Sequence, residues 1–290
     1  TSTMQEVGSI LVVITPSQPE QLALKRAKLI ASVTKSSLHL LVCDRNNQHA
    51  GLLAGIARQL TDSGYSVSTQ QAWHNSHHET IIMVQQRHSC GLVIKQHFPE
   101  NPIKRALLTP DDWKLLRYCP CPVLIAKSNR PWSEGKILAA VDVGNTSSEH
   151  RTLHAQLIDS AFSVAAIAKS RLHVFCAYPA PMLSAADPTF QLRETIEARY
   201  REQAAAFARE YALEPEYMHL KEGNADNLIP LMARELDAAV TIIGTVARTG
   251  LSGALIGNTA EAVLDAVETD VIVVKPQNVS LHLEKLLGNQ

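Results

Sequence analysis

Little in this sequence favours a specialised environment. Its five cysteines are an odd, scattered set, which argues against a disulfide framework. No apolar run reaches the roughly 18 to 20 residues that a membrane helix needs. The first residues, Thr1-Ser-Thr-Met-Gln-Glu6, do not have the basic and then apolar form of a signal peptide. Neither sign of charge dominates: 27 Lys and Arg against 28 Asp and Glu leave no bulk attraction to nucleic acid or to an anionic membrane. Trp73, Trp113 and Trp132 stand too far apart to form a stacking surface for bases. There is no Gly-Lys-Ser/Thr of a P-loop, no Gly-x-Ser-x-Gly nucleophile turn and no paired catalytic carboxylates. The expectation is a cytoplasmic protein with reduced thiols and no catalytic residues.

What the chain does contain is one pattern written twice. Ile10-Leu-Val-Val-Ile-Thr15 resembles Ile137-Leu-Ala-Ala-Val-Asp142, and Leu38–Val42 resembles Leu172–Cys176. Each half closes on an apolar run with a terminal lysine, Pro122–Lys127 and Asp270–Lys275. At 290 residues there is room for two domains. The link Ser128–Gly135, with an internal proline and a final glycine, sets the division at 1–130 and 131–290.

Within the second half, apolar runs alternate with helical spacing. Strands are expected at Lys136–Asp142, Leu172–Tyr178, Tyr217–Lys221, Ala239–Gly244 and Val271–Lys275. Helices are expected at Ser148–Lys169, Phe190–Tyr211, Ala225–Leu236 and Thr259–Ala266. The first half repeats this in shorter form from Ile10 to Lys127. Such alternation predicts α/β architecture: two tandem, doubly wound parallel-sheet domains of flavodoxin-like type. Ligands of such sheets bind beyond the carboxyl ends of the strands, at the point where strand order reverses. That rule selects Asp142, Ala177 and Tyr178, Gly223 and Asn224, and Gly244 onward.

The halves differ in one loop. Gly244 to Asn258 and Lys95 to Thr109 both span 14 positions, but only the second stretch is rich in glycine. Gly244 would let a ligand approach the backbone. Asn258 is a candidate N-cap, with Glu261 three residues on as in a capping box. A helix N-terminus of this kind suits a phosphate, or simply caps a helix. In the first half Thr15 stands for Asp142, Lys95 for Gly244, Phe98 for Ala247 and Leu108 for Gly257. Its helix opens on Thr109-Pro-Asp-Asp112, whose carboxylates would repel phosphate, so this pocket is expected to be lost for nucleotide.

The spacing Gly-x-x-Gly, nine residues, Gly-Ser/Thr after an apolar strand resembles the nucleotide loop of the universal stress proteins. Here the four positions are Gly244, Ala247, Gly257 and Asn258. Strand Ile137–Asp142, the turn Glu222-Gly223-Asn224 and the ending Asp270–Pro276 are similar to further features of that family, and two copies per chain resemble its tandem, E-type members. The resemblance implies an adenine nucleotide, ATP or AMP with or without Mg, in the second domain. Asp142 would lie near ribose or metal, Val141, Ala177, Gly223 and Ile243 around adenine and sugar, and Gly257, Asn258 and Thr259 at phosphate. Two positions depart from the pattern: Ala247 replaces a glycine, at a strain of about 1 kcal/mol if φ is positive there, and Asn258 replaces a hydroxyl residue.

The resemblance implies a stress-response regulatory or binding module with an unidentified protein partner. The alternatives are a slow ATP-hydrolysing enzyme and a nucleotide-free scaffold with another ligand. The histidines His74, His77 and His78, and the i, i+4 pair His150 and His154, have no companion ligand at a metal-binding spacing and are expected at the surface. Cys43, Cys90 and Cys176 read as buried apolar residues, and Cys119-Pro-Cys121 has neither redox nor zinc spacing. The two terminal strands are expected to pair within the chain as an internal pseudo-dimer, with a homodimer left open through the leucines of Leu281–Leu287.

Overall fold

A computed structural model describes residues 7–98, 103, 106–245 and 258–276. The leucines of 281–287 lie outside them, as do Ala247 and Gly257, and the side chains of Asn258 and Thr259 are likewise outside the description. The first half contains β1 (Ser9–Val13), α1 (Leu22–Thr34), β2 (Ser37–Cys43), α2 (Ala50–Asp62), β3 (Val67–Ala72), α3 (His77–Arg87), β4 (Leu92–Gln96), α4 (Pro110–Tyr118) and β5 (Val123–Ala126). The second half contains β6 (Lys136–Ala140), α5 (Ser148–Ala168), β7 (Leu172–Tyr178), α6 (Arg193–Glu210), β8 (Met218–Glu222), α7 (Ala225–Glu235), β9 (Ala238–Gly244), α8 (Asn258–Ala266) and β10 (Asp270–Val274). The expected elements are present, with ends displaced by a few residues. The largest shift is at Phe190, where a short 3-10 turn, Pro188–Gln191, precedes α6.

The ten strands among the described residues form one sheet in the order β3-β2-β1-β4-β5-β10-β9-β6-β7-β8. Each half has its first strand in the middle and is parallel throughout. The halves meet where β5 and β10 run antiparallel, pairing Val123 with Val273, Leu124 with Ile272 and Ile125 with Val271. The two terminal strands thus satisfy each other's edge hydrogen bonds.

Alternate strand residues serve opposite faces, which explains the continuous apolar runs. Ile10, Val12 and Ile14 belong to the layer of α1, α2, α5 and α6, and Leu11 and Val13 to the layer of α3, α4, α7 and α8. The link between halves is packed: Trp132, in a 3-10 turn over Trp132–Glu134, is 1% exposed.

Register corrects the comparison of the two halves by one residue. On β1, Val12 pairs Ile94, and its counterpart Ala139 on β6 pairs Ile242. Gln96, not Lys95, is therefore equivalent to Gly244, and Lys95 is equivalent to Ile243. The helices agree: Gln96 to Pro110 and Gly244 to Asn258 both span 14 positions, and Pro110 to Lys127 and Asn258 to Lys275 both span 17. Thr109 then matches Gly257, Asp111 matches Thr259 and Asp112 matches Ala260. Equal spacing tolerates a slip that hydrogen-bond register does not.

The same equivalence explains the terminal lysines. Lys127 Nζ donates to the carbonyls of Leu264 and Val267 at the end of α8, at 2.6 and 2.9 Å. Lys275 Nζ donates to the carbonyl of Cys119, the C-cap of α4, at 2.6 Å. The lysine that follows each strand thus crosses the β5–β10 seam to the negative end of the other half's final helix.

Candidate functional site

The carboxyl ends of β6, β7, β8 and β9 surround a cavity of about 610 Å³. It lies at the switch point between β6 and β9, the two strands from which chain direction diverges. Val141, Asp142, Ala177, Gly223, Ile243 and Gly244, six of the residues singled out from sequence, line it together. Ala260 and Val263 of α8 close one side. The lining residues include no lysine or arginine among those described, and Ala260 brings the first turn of α8, the positive end of its dipole, to the cavity.

Backbone geometry holds these positions. Gly223 has φ +141, a conformation that side-chain-bearing residues avoid, and its amide donates to the Tyr178 carbonyl at 2.9 Å. Asn224 then caps α7, its Oδ1 accepting the Asp226 amide at 3.0 Å. The Asp142 carboxylate, at the exposed mouth, accepts the Gly144 amide at 3.1 Å and fixes the turn after β6. Gly244 also has a packing role. A Cβ there would lie 2.6 Å from Leu153 Cδ1, so the glycine makes room for a side chain of α5.

The sequence reading missed several residues of this wall. His154 is 6% exposed, contrary to its expected surface position, and its Nε2 accepts the Asp142 amide at 3.4 Å. Burial, and secondarily the neighbouring His150, push its pKa down to about 4, so the ring is neutral and can accept. The signal was present: His150 and His154 share the face of Leu157 and Ala161, at i, i+4, i+7 and i+11. Tyr200 stacks at a tilt on Tyr178, with ring centroids 5.7 Å apart, and its hydroxyl occupies the space a Cβ on Gly144 would need. Burial, with the Asp142 carboxylate adding to it, pushes the Tyr200 phenol up to about 12. Thr245 also lines the cavity, and its Oγ1 is buried with no hydrogen-bond partner among the described residues.

The equivalent cavity of the first half, about 520 Å³, is walled by Val13, Ile14, Trp73 and Phe98 and closed by charge. Lys95 Nζ bridges Asp111 Oδ2 at 2.8 Å and Asp112 Oδ1 at 2.7 Å, and His97 Nδ1 lies 3.1 Å from Asp112 Oδ2. Burial raises the Asp112 carboxyl, but the His97 hydrogen bond, the Lys95 ammonium and the Thr109 amide outweigh it and bring it down to about 2. Asp112 also completes a capping box with Thr109. In the second half α8 begins at Asn258, so the expected box falls on a side chain outside the described residues, and Glu261 meets Arg117 of α4 at 3.0 Å. Gln96, the counterpart of Gly244, accepts the Leu22 amide at 3.0 Å and so caps α1.

Among the described residues no group of three His, Cys, Asp or Glu is placed to hold a metal ion, and no helix is long and apolar enough to cross a membrane.

Residues 135–275 match the model of the universal stress protein family. Over 95% of its length the chain is 29% identical to universal stress protein E of Salmonella typhi, covering 96% of that protein. It is similar to a crystal structure of a functionally unknown protein from Pseudomonas aeruginosa PAO1, with 60% identity, 99% of both chains covered and a TM-score of 0.91. A crystal structure of a "Putative Universal Stress Protein" from Pseudomonas aeruginosa UCBPP-PA14 is 59% identical, with 98% of this chain and 99% of that one covered and a TM-score of 0.91. The chain belongs to the universal stress protein family, as a tandem member of the E type.

Proposed function

We propose that this protein is a cytoplasmic stress-response module whose second cavity takes one adenine nucleotide, ATP or AMP, and whose first cavity takes none. The boundary between its two domains is drawn at 130/131. One observation carries the reading: three paired positions differ in the same sense between the cavities. Ala260 leaves open the place that Asp112 fills with a carboxylate, Ile243 stands for Lys95, and Gly244 stands for Gln96. The first cavity thus carries its own anions at the helix N-terminus, while the second leaves that terminus to an external anion.

In this reading adenine and ribose lie against Val141, Ala177, Gly223 and Ile243, with Asp142 at the sugar edge. The buried, unpartnered hydroxyl of Thr245 supplies a hydrogen-bonding group, and Gly257, Asn258 and Thr259 receive phosphate. The protein would act through nucleotide-dependent association with a protein partner. The rival reading, slow ATP hydrolysis, rests on Asp142 and a bound metal.

The test is to denature the purified chain and identify the released small molecules by mass spectrometry. An adenine nucleotide absent from a Gly257→Asp variant supports the proposal. A different metabolite, or the same nucleotide retained by that variant, contradicts it. Turnover of ATP by wild type but not by Asp142→Asn would favour the enzyme.

A further inference from the structure

Cys119 and Cys121 flank one proline between α4 and β5, a spacing that suggested no chemistry from sequence. Cys119 is extended, at φ −70 and ψ 125. In extended backbone, side chains two residues apart point to the same side. The two sulfurs accordingly lie 3.7 Å apart, Cys119 fully buried and Cys121 half-buried. The buried Lys275 ammonium is brought to the same turn by its bond to the Cys119 carbonyl, at 2.6 Å. Anchoring that lysine does not require thiols: Lys127 makes the equivalent contact in the other half, where Val267 and Thr269 stand for the cysteines.

We propose that Cys119 and Cys121 form an oxidisable dithiol, closed to a disulfide by hydrogen peroxide, with the Lys275 ammonium supporting the Cys119 thiolate. Hydrogen bonding from Cys121 lowers the Cys119 thiol, and Lys275 works in the same sense against burial. Burial instead raises the thiols of Cys43 and Cys176, each to about 12, and also that of Cys90. The Cys119 thiolate attacks one peroxide oxygen. An S–O bond forms, the O–O bond breaks, and the departing hydroxide takes a proton to leave as water. Cys121 then attacks the Cys119 sulfur, the S–O bond breaks, and hydroxide leaves with the Cys121 proton as a second water. Two thiols have lost two electrons to one peroxide, and the sulfurs have closed from 3.7 Å to about 2.05 Å.

The experiment treats the folded full chain with hydrogen peroxide, alkylates remaining thiols, and maps tryptic peptides by mass. The peptide Tyr118–Lys127 contains both cysteines, and His88–Lys95 contains Cys90. The expected product is Tyr118–Lys127 carrying an internal disulfide that dithiothreitol reverses, while Cys43, Cys90 and Cys176 stay alkylatable. Lys275→Met should slow closure roughly threefold to tenfold, and Lys275→Arg should restore it. Cys121→Ser should leave a sulfenic acid on Cys119 that dimedone traps, which tests the first step if Lys275→Met does not fold. Both thiols alkylated after peroxide, a disulfide to the Cys90 peptide, or closure only after unfolding in urea would each overturn the proposal.

Discussion

Arg26 Nε donates to Asp270 Oδ2 at 2.6 Å across the seam of the two halves, with side chains 2% and 0% exposed. The same carboxylate oxygen accepts Trp132 Nε1 at 2.8 Å, and Oδ1 accepts the amides of Lys127 and Ser128 at 2.8 and 3.0 Å. Arg26 also donates to the carbonyls of Ser128 and Arg130, both at 2.7 Å. One buried ion pair therefore ties α1, the connecting segment and β10 together. An ion pair so deep contributes through the cost of breaking it, since either partner alone is an uncompensated buried charge.

Asp270→Ala should accordingly destabilise the protein by about 3 to 5 kcal/mol. Adding Arg26→Met to it should recover part of the loss, because the stranded cation is then removed. Urea unfolding midpoints check both. An Asp270→Ala variant within about 1 kcal/mol of wild type would refute the assignment.

Gly244→Ala tests whether the glycine makes room for Leu153. The added methyl falls on Leu153 Cδ1 and Cδ2, at 2.6 and 2.7 Å, and should cost about 1 to 3 kcal/mol. The double variant with Leu153→Ala should be destabilised by less than the sum of the two single losses. Strict additivity would show that the two positions do not interact.

His154 sets a pH dependence. Its folded pKa, about 4, lies below the ordinary 6.5, so between these values the unfolded chain binds the extra proton. Stability should therefore fall as pH drops from 6.5 towards 4, by up to about 3 kcal/mol. His154→Leu should flatten that segment of a stability-against-pH curve. An unchanged slope would mean that the ring already charges in the folded state.

Lys95→Met should leave Asp112 buried without its ammonium partner and cost about 3 to 5 kcal/mol. Replacing Asp112 by Asn in the same chain should recover part of that. A surface-like cost, below about 1 kcal/mol, would mean that the network is solvated.

The sheet was legible because strands buried on both faces read as unbroken apolar runs, and duplication supplied an internal check. Asp142, Ala177 and Gly223 were legible because the switch-point rule needs only strand ends. Leu153, His154, Tyr200 and Thr245 were not found. The first three reach the cavity from helices whose rotation over the sheet is set by packing, although the stripe through Leu157 and Ala161 already pointed His154 inward. Equal loop spacing permits a one-residue slip between the halves, whereas the distances back from Lys127 and Lys275 exclude it. Arg26 and Asp270 lie 244 positions apart, and their pairing follows from the β5–β10 seam.

The most direct test of the account is a calorimetric titration of ATP into the full chain and into an Ala260→Asp variant, which places the first cavity's carboxylate in the second. The prediction is one ATP per wild-type chain and an affinity at least about tenfold weaker in the variant, a difference of about 1.4 kcal/mol. Two equivalent sites in wild type, or an unchanged affinity in Ala260→Asp, would contradict it.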